Sequence, residues 1–326
     1  LAENNDFHFA DVDSLGSRTT KTTAIDDHID AVLAHPLVNL TAIKAASFSA
    51  VVDGVNSVGG IAIPALLDAL GVHCTKLYCD PTGHFPHNPE PLKEHLGDLS
   101  QEVIRAKADL GIVVDPDVDR LAFMDEKGEM FGEEYTLVAC ADYVLSKTPG
   151  NTVSNLSSTR ALRDVTEAAG GEYYASAVGE VNVVAQMKAK KAVIGGEGNG
   201  GIIDPNLHYG RDALVGVALF LSLLAERKCT VSVLKAGYPV YFMSKGKIEL
   251  SPTMDVDGLL RKMETRYAND KPLTIDGVKI DFPEGWVHMR KSNTEPIIRV
   301  YAEAKTQAAA DEISQRFSTE LLQEAN

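Results

Sequence analysis

Three aspartates alternate along one short stretch, Gly111-Ile112-Val113-Val114-Asp115-Pro116-Asp117-Val118-Asp119-Arg120. Carboxylates at i, i+2 and i+4 repel one another unless a cation sits among them. Oxygen-only donors suit a hard ion, so Asp115, Asp117 and Asp119 are candidate Mg²⁺ ligands. An apolar run of strand length precedes them, and a second, Leu121-Ala122-Phe123-Met124, follows Arg120. Loops that leave the C-terminal ends of parallel strands are where α/β folds place ligands. A solvated acidic turn is the simpler alternative, but Arg120 and the flanking strands favour a built site. A calcium EF-hand is rejected, because loop position 6 is Arg120 rather than glycine and strands flank the loop.

Two further clusters carry chemistry. Gly195 to Gly201 places five glycines around Glu197 and Asn199. Glycines let backbone approach a ligand closely, and one acid with one amide suits paired hydrogen bonds to sugar hydroxyls. A tight turn with incidental polar residues is the alternative. The stretch is not a dinucleotide fingerprint, since no first strand and no acidic ribose partner accompany it. Arg290-Lys291-Ser292-Asn293-Thr294-Glu295-Pro296-Ile297-Ile298-Arg299 falls between two apolar runs. Its guanidinium, hydroxyl and amide groups suit a phosphate cradle, with Arg290, Ser292, Asn293, Thr294 and Arg299 as candidate contacts. A polar hairpin tip is the alternative there. His208 and Arg211 precede an apolar helix and as a pair could reach a phosphosugar; His208 could equally donate at the helix end. His87, in a Pro-rich loop, is expected to brace that loop, and Asp53 and Asn56 to cap structure.

These residues need elements to hold them. Strand and helix patterns alternate from Phe48 to Ser146, which predicts a βαβ sheet. Pro149-Gly150-Asn151 is a turn, and the same rhythm restarts at Thr152. A helix is expected to be capped near Ser157 or Ser158. From Tyr241 the order changes to strand, helix, three strands and helix. The expected fold is α/β: two consecutive three-layer α/β domains with mixed, mainly parallel sheets, then a C-terminal α+β domain with an antiparallel sheet. The expected boundaries are 1–150, 151–239 and 240–326. The first two domains share a rhythm without a residue-level repeat.

Composition bounds the function. The chain has 326 residues and a formal net charge of −15, which argues against nucleic-acid binding and means that local arginines must draw in any anionic substrate. No apolar run reaches membrane-spanning length. Cys74, Cys79, Cys140 and Cys229 form no CxxC pair and are expected to be reduced thiols in a cytoplasmic protein. The chain opens with Leu1 rather than Met, so it is expected to begin inside a longer protein.

The aspartate loop, the glycine-rich loop and the Arg290 to Arg299 turn, in this order, resemble the α-D-phosphohexomutase superfamily of phosphoglucomutases, phosphomannomutases and phosphoglucosamine mutases. The resemblance covers essentially the whole chain. It implies interconversion of hexose 1-phosphate and hexose 6-phosphate through a phosphoserine and a hexose 1,6-bisphosphate intermediate. Asp115, Asp117 and Asp119 would hold Mg²⁺, with Arg120 the candidate catalytic residue. Glu197, Asn199, Arg211 and His208 would bind sugar, and the Arg290 to Arg299 turn the non-reacting phosphate. The family's serine lies in a Thr-Ala-Ser-His-Asn-Pro-like loop of an additional N-terminal domain. No such string occurs here, so the chain is expected to comprise the second to fourth domains. A phosphoglucosamine mutase and a non-catalytic phosphosugar-binding protein are the alternatives. The oligomeric state is left open.

Overall fold

The computed structural model describes residues 4–249, 255–292 and 295–325. Two short helices, α1 (Ala24–Leu33) and α2 (Leu40–Ala46), open the chain. They are followed by β1 (Ser49–Asp53), α3 (Gly59–Leu70), β2 (His73–Leu77), α4 (Gly97–Ala106), β3 (Leu110–Val114) and β4 (Leu121–Met124). The strand order is β2-β1-β3-β4, with the first three parallel and β4 antiparallel to β3. The central strands are continuous apolar runs because helices cover both faces of such a sheet. Every residue of β3 and β4 is buried.

After α5 (Glu133–Lys147) the pattern repeats as β5 (Asn151–Asn155), α6 (Ala161–Ala168), β6 (Tyr173–Ser176), α7 (Glu180–Lys190), β7 (Ala192–Glu197) and β8 (Gly201–Ile203). Its order is β6-β5-β7-β8, again three parallel strands and one antiparallel. The two sheets therefore share a topology that no residue-level repeat announces. Next come α8 (Ala213–Arg227) and α9 (Val231–Ala236). Asp212 starts α8 by accepting from the amides of Leu214 (2.8 Å) and Val215 (3.3 Å), the donors an N-cap must satisfy. Residues Ala213 to Ala225 are all buried, since α8 packs against α1, α2, α3 and α5. One apolar core consequently runs through both sheets' helices.

The last unit comprises β9 (Phe242–Glu249), α10 (Val256–Arg266), β10 (Val278–Asp281), β11 (Gly285–Lys291), β12 (Ile297–Ala304) and α11 (Gln307–Ala325). Its sheet is antiparallel, in the order β10-β11-β12-β9, and has its own core. Polar contacts join it to the second sheet unit. Arg160 donates to Asp281 (2.8 Å) and to the carbonyls of Phe282 and Gly285, and Lys279 donates to the Leu156 carbonyl (2.7 Å). Among the described residues, no helix is long and apolar enough to cross a membrane. The four cysteines are free.

Candidate active site

The aspartate loop is the six-residue link between β3 and β4, whose register pairs Val114 with Leu121. Asp115 is buried, and its Oδ1 accepts from the amides of Asp119 and Arg120, both at 3.0 Å. Val118 takes the left-handed conformation that folds the loop back on itself. Asp117 is exposed and Asp119 half-buried. One carboxylate oxygen of each aspartate lies within 4.8 Å of the others. Burial, then Asp119 and Asp117, push the Asp115 carboxyl up to about 7, against the opposing amide of Arg120. Asp119 Oδ1 is buried and makes no hydrogen bond. An all-oxygen cluster with crowded charge and an unused acceptor fits a hard divalent cation.

Arg120 stands at the rim of this loop. Its Nε lies 3.4 Å from Asp115 and 3.7 Å from Asp119, and its Nη1 lies 3.4 Å from Glu90 of the Pro-rich loop. That loop is braced as expected, by His87 bonded to Asp53 (2.9 Å) and to the Asn88 carbonyl (2.7 Å). Asp53 also caps the Val55 amide (3.0 Å), and Asn56 bonds the His84 carbonyl (3.1 Å).

The glycine-rich stretch is a hairpin rather than a free loop. Gly195 to Glu197 complete β7, Gly201 opens β8, and Glu197 pairs with Gly201. Gly200 has φ +92° and lies against the backbone of Leu121, whose amide donates to the Gly200 carbonyl (3.0 Å). A side chain there would strike the Leu121 carbonyl, so glycine is required both for conformation and for close approach. This contact docks the hairpin onto the aspartate loop. Glu197 is buried and accepts from Asn155 Nδ2 (2.8 Å), the Gly179 amide (3.1 Å) and Arg211 Nη1 (2.9 Å). Arg211 also pairs with Asp119. One guanidinium thus ties the glutamate to the aspartate loop, and Arg211 is held by protein carboxylates.

His208 is placed differently from Glu197. Its Nε2 bonds Asp212 Oδ2 (3.0 Å), which also receives His28 Nε2 (2.8 Å). Burial acts to raise the Asp212 carboxyl, but these two histidine bonds outweigh it and hold it below the ordinary carboxylate range.

In the last unit, Arg290 is the penultimate residue of β11 and lies directly across from Arg299 of β12. Arg299 is balanced by Glu295 (2.6 Å) and the Tyr301 hydroxyl (3.0 Å). Among the described residues, Arg290 Nη1 reaches only the Lys291 carbonyl, at 3.4 Å, and its buried Nε makes no hydrogen bond. Ser292 is buried, and its amide closes the turn on the Ile297 carbonyl (2.9 Å). Asn293 and Thr294 lie outside the described residues.

A cleft of about 400 Å³ gathers part of this set, while Asp115, Asp117, Asp119, His208, Arg211 and Ser292 are not among its lining residues. Arg120, Glu197, Asn199, Arg290 and Arg299 all line it. Glu90, Glu133, Glu134, Asn155, Ser157, Lys245 and Tyr301 line it as well, and sequence reasoning assigned none of them to the site. Asn155 had a usable signal, because it ends a parallel strand as Asp115 follows one. Lys245 had none, being one polar residue on an alternating strand. Ser157 does not cap α6, whose N-cap is Arg160 without a side-chain bond. Ser157 instead donates to His288 Nδ1 (2.9 Å), while His288 Nε2–H donates to the Asp276 carbonyl (2.7 Å). Burial drives the His288 imidazole down to about 3. Burial likewise pushes the Glu134 carboxyl up to about 8.

The three sheet units correspond to three consecutive family domains. Residues 26–128 match the family model for phosphoglucomutase/phosphomannomutase alpha/beta/alpha domain II. Residues 132–241 match alpha/beta/alpha domain III, and residues 247–320 the C-terminal domain. A "probable phosphoglucosamine mutase" of Methanopyrus kandleri is 33% identical over 316 residues, spanning 96% of this chain and 69% of that protein. A "phosphoglucomutase/phosphomannomutase" of Thermococcus kodakarensis is 34% identical over 325 residues, spanning 98% and 70%. The crystal structure of a phosphoglucomutase/phosphomannomutase family protein from Burkholderia thailandensis superposes with a TM-score of 0.78 at 28% identity, over 91% of this chain and 64% of that one. With three consecutive domain matches and relatives aligned along nearly its whole length, the chain belongs to the phosphoglucomutase/phosphomannomutase family.

Proposed function

We propose that this chain supplies the metal-, sugar- and phosphate-binding parts of a phosphohexomutase that interconverts hexose 1-phosphate and hexose 6-phosphate of the glucose or mannose series. The observation that carries the reading is the single cleft shared by Arg120, Glu197, Asn199, Arg290 and Arg299, which come from three sheet units. Arg290 and Arg299 grip the phosphate that does not react, since paired guanidiniums suit its oxygens. Glu197, fixed by Asn155 and Arg211, accepts from sugar hydroxyls, and Asn199 completes that contact. Arg120 faces the reacting phosphate beside the aspartates. Mg²⁺ held by Asp115, Asp117 and Asp119 would offset charge on the transferring phosphoryl group.

The phosphoryl carrier in this reading is a serine outside these 326 residues. The sugar phosphate becomes a 1,6-bisphosphate, turns over in the cleft, and returns the other phosphate to that serine. Both orientations present a phosphate to Arg290 and hydroxyls to Glu197, so one set of contacts serves both half-reactions. A second reading, a phosphoglucosamine mutase, is favoured by the likeness to the probable phosphoglucosamine mutase of Methanopyrus kandleri. Mutase assays of the full-length protein on glucose, mannose and glucosamine 1-phosphates test both. Turnover dependent on Asp117 and Arg290 supports the function, and the best substrate selects between the readings. No turnover on any of the three sinks the enzyme reading and leaves a phosphosugar-binding protein.

A further inference from the structure

A second convergence of metal-type donors lies away from the cleft lining. His28 Nε2 and His208 Nε2 both point at Asp212 Oδ2, at 2.8 and 3.0 Å. The three ligand atoms lie within 4.8 Å of one another. The rings are tilted by 53°, with centroids 5.7 Å apart, so they approach one point from different directions. Two imidazole nitrogens with one carboxylate oxygen are a donor set for zinc-class ions, whereas the aspartate loop offers oxygen alone.

The surroundings supply what such a site needs. Asp212 Oδ1 is committed to the α8 amides of Leu214 and Val215, which fixes the carboxylate and leaves Oδ2 turned to the histidines. Asp212 is buried at the start of an entirely packed helix, while His208 is 42% exposed and His28 33% exposed. Both imidazoles are therefore open in part to solvent, as a water ligand requires. Zinc–ligand bonds of about 2.0 Å set tetrahedral ligand atoms roughly 3.3 Å apart, so the two histidine–Asp212 separations need to open by only a few tenths of an ångström, and the two imidazole nitrogens already lie within 4.8 Å of each other.

We propose that His28, His208 and Asp212 form a site for a zinc-class divalent ion with water in the fourth position. The ion would clamp α1 to the N-terminus of α8. Arg211 lies between two of the ligands in sequence and bridges Asp119 to Glu197, so the clamp would steady the link between the aspartate loop and the sugar hairpin. It takes no part in phosphoryl transfer.

Zn²⁺ calorimetry and Co²⁺ absorption on this chain test the site, with millimolar Mg²⁺ present to occupy the aspartate loop. Wild type should bind one Zn²⁺ and give the visible d–d bands of a four-coordinate Co²⁺ with nitrogen and oxygen ligands. His28→Gln and His208→Gln should each weaken Zn²⁺ roughly tenfold or more and remove those bands, because each deletes one of three protein ligands. Zn²⁺ should raise the unfolding midpoint of wild type and leave that of His208→Gln unchanged. Circular dichroism checks that both variants fold; if one does not, the other and the wild-type Co²⁺ spectrum still decide. No Zn²⁺ binding by wild type, or binding unchanged in a folded variant, overturns the site.

Discussion

Replacing Arg290 by alanine removes one half of a like-charged cross-strand pair. Arg290 and Arg299 stand directly opposite on β11 and β12, and like charges there cost up to about 1 kcal/mol. Arg299 has Glu295 and Tyr301 as partners. Arg290 has no carboxylate within ion-pair distance among the described residues, and its Nε is buried without a hydrogen bond. The pair is therefore poised for an external anion. The loss on truncation is that of one charge-assisted bond, about 1.5–3 kcal/mol net of competition with water. Glucose 1,6-bisphosphate should then bind about ten- to a hundredfold more weakly to Arg290→Ala. Arg290→Lys should recover part of this, since it keeps charge but loses the fork. The ligand-free protein should be as stable as wild type or slightly more so, because repulsion with Arg299 is relieved. Calorimetry and thermal unfolding of the three proteins measure both effects. Equal binding by all three, or weaker binding matched by a drop in ligand-free stability, refutes the phosphate-cradle argument.

Asp117 is exposed, so Asp117→Asn should leave folding intact and weaken Mg²⁺ binding; equal Mg²⁺ affinities on titration would remove the metal assignment. This chain alone should show no mutase turnover, because it contains no serine loop of the family type; turnover that survives further purification and needs Asp115 would make Ser157 and Ser158 the next residues to substitute. His288 should make the fold acid-sensitive. Its folded value near 3 lies below the ordinary 6.5, so between these pH values the unfolded chain binds the extra proton and stability falls as pH drops, by about 1.4 kcal/mol per unit at most. Glu134, raised from 4.5 to about 8, acts oppositely across its own window, where the folded chain holds the extra proton. The prediction therefore concerns the difference between wild type and His288→Gln in denaturant unfolding. A difference that does not change from pH 7 to pH 5 would show that His288 is not held neutral.

What the chain determined locally is chemistry that needs only neighbours. The aspartate spacing and the two apolar runs around it are enough to make a strand, a loop and a returning strand, and β3 and β4 pair as those runs imply. The change of rhythm after Tyr241 likewise marks the antiparallel unit, since strand and helix periods are written in adjacent residues. The glycine-rich stretch was legible as a candidate site but not as a hairpin, because Glu197 joins β7 only through pairing with Gly201 and docking on Leu121. The shared order of the two sheets left no trace in residue identity, since backbone pairing tolerates many side chains. Tertiary structure alone decided that Arg211 joins Asp119 to Glu197, that His208 turns to Asp212 and His28, and that Ser157 meets His288. Asp119 and Arg211 are 92 residues apart, and His28 and Asp212 are 184 apart. No periodicity spans such distances, and such partners meet only because burial of α8 and pairing of the strands bring their loops to one place.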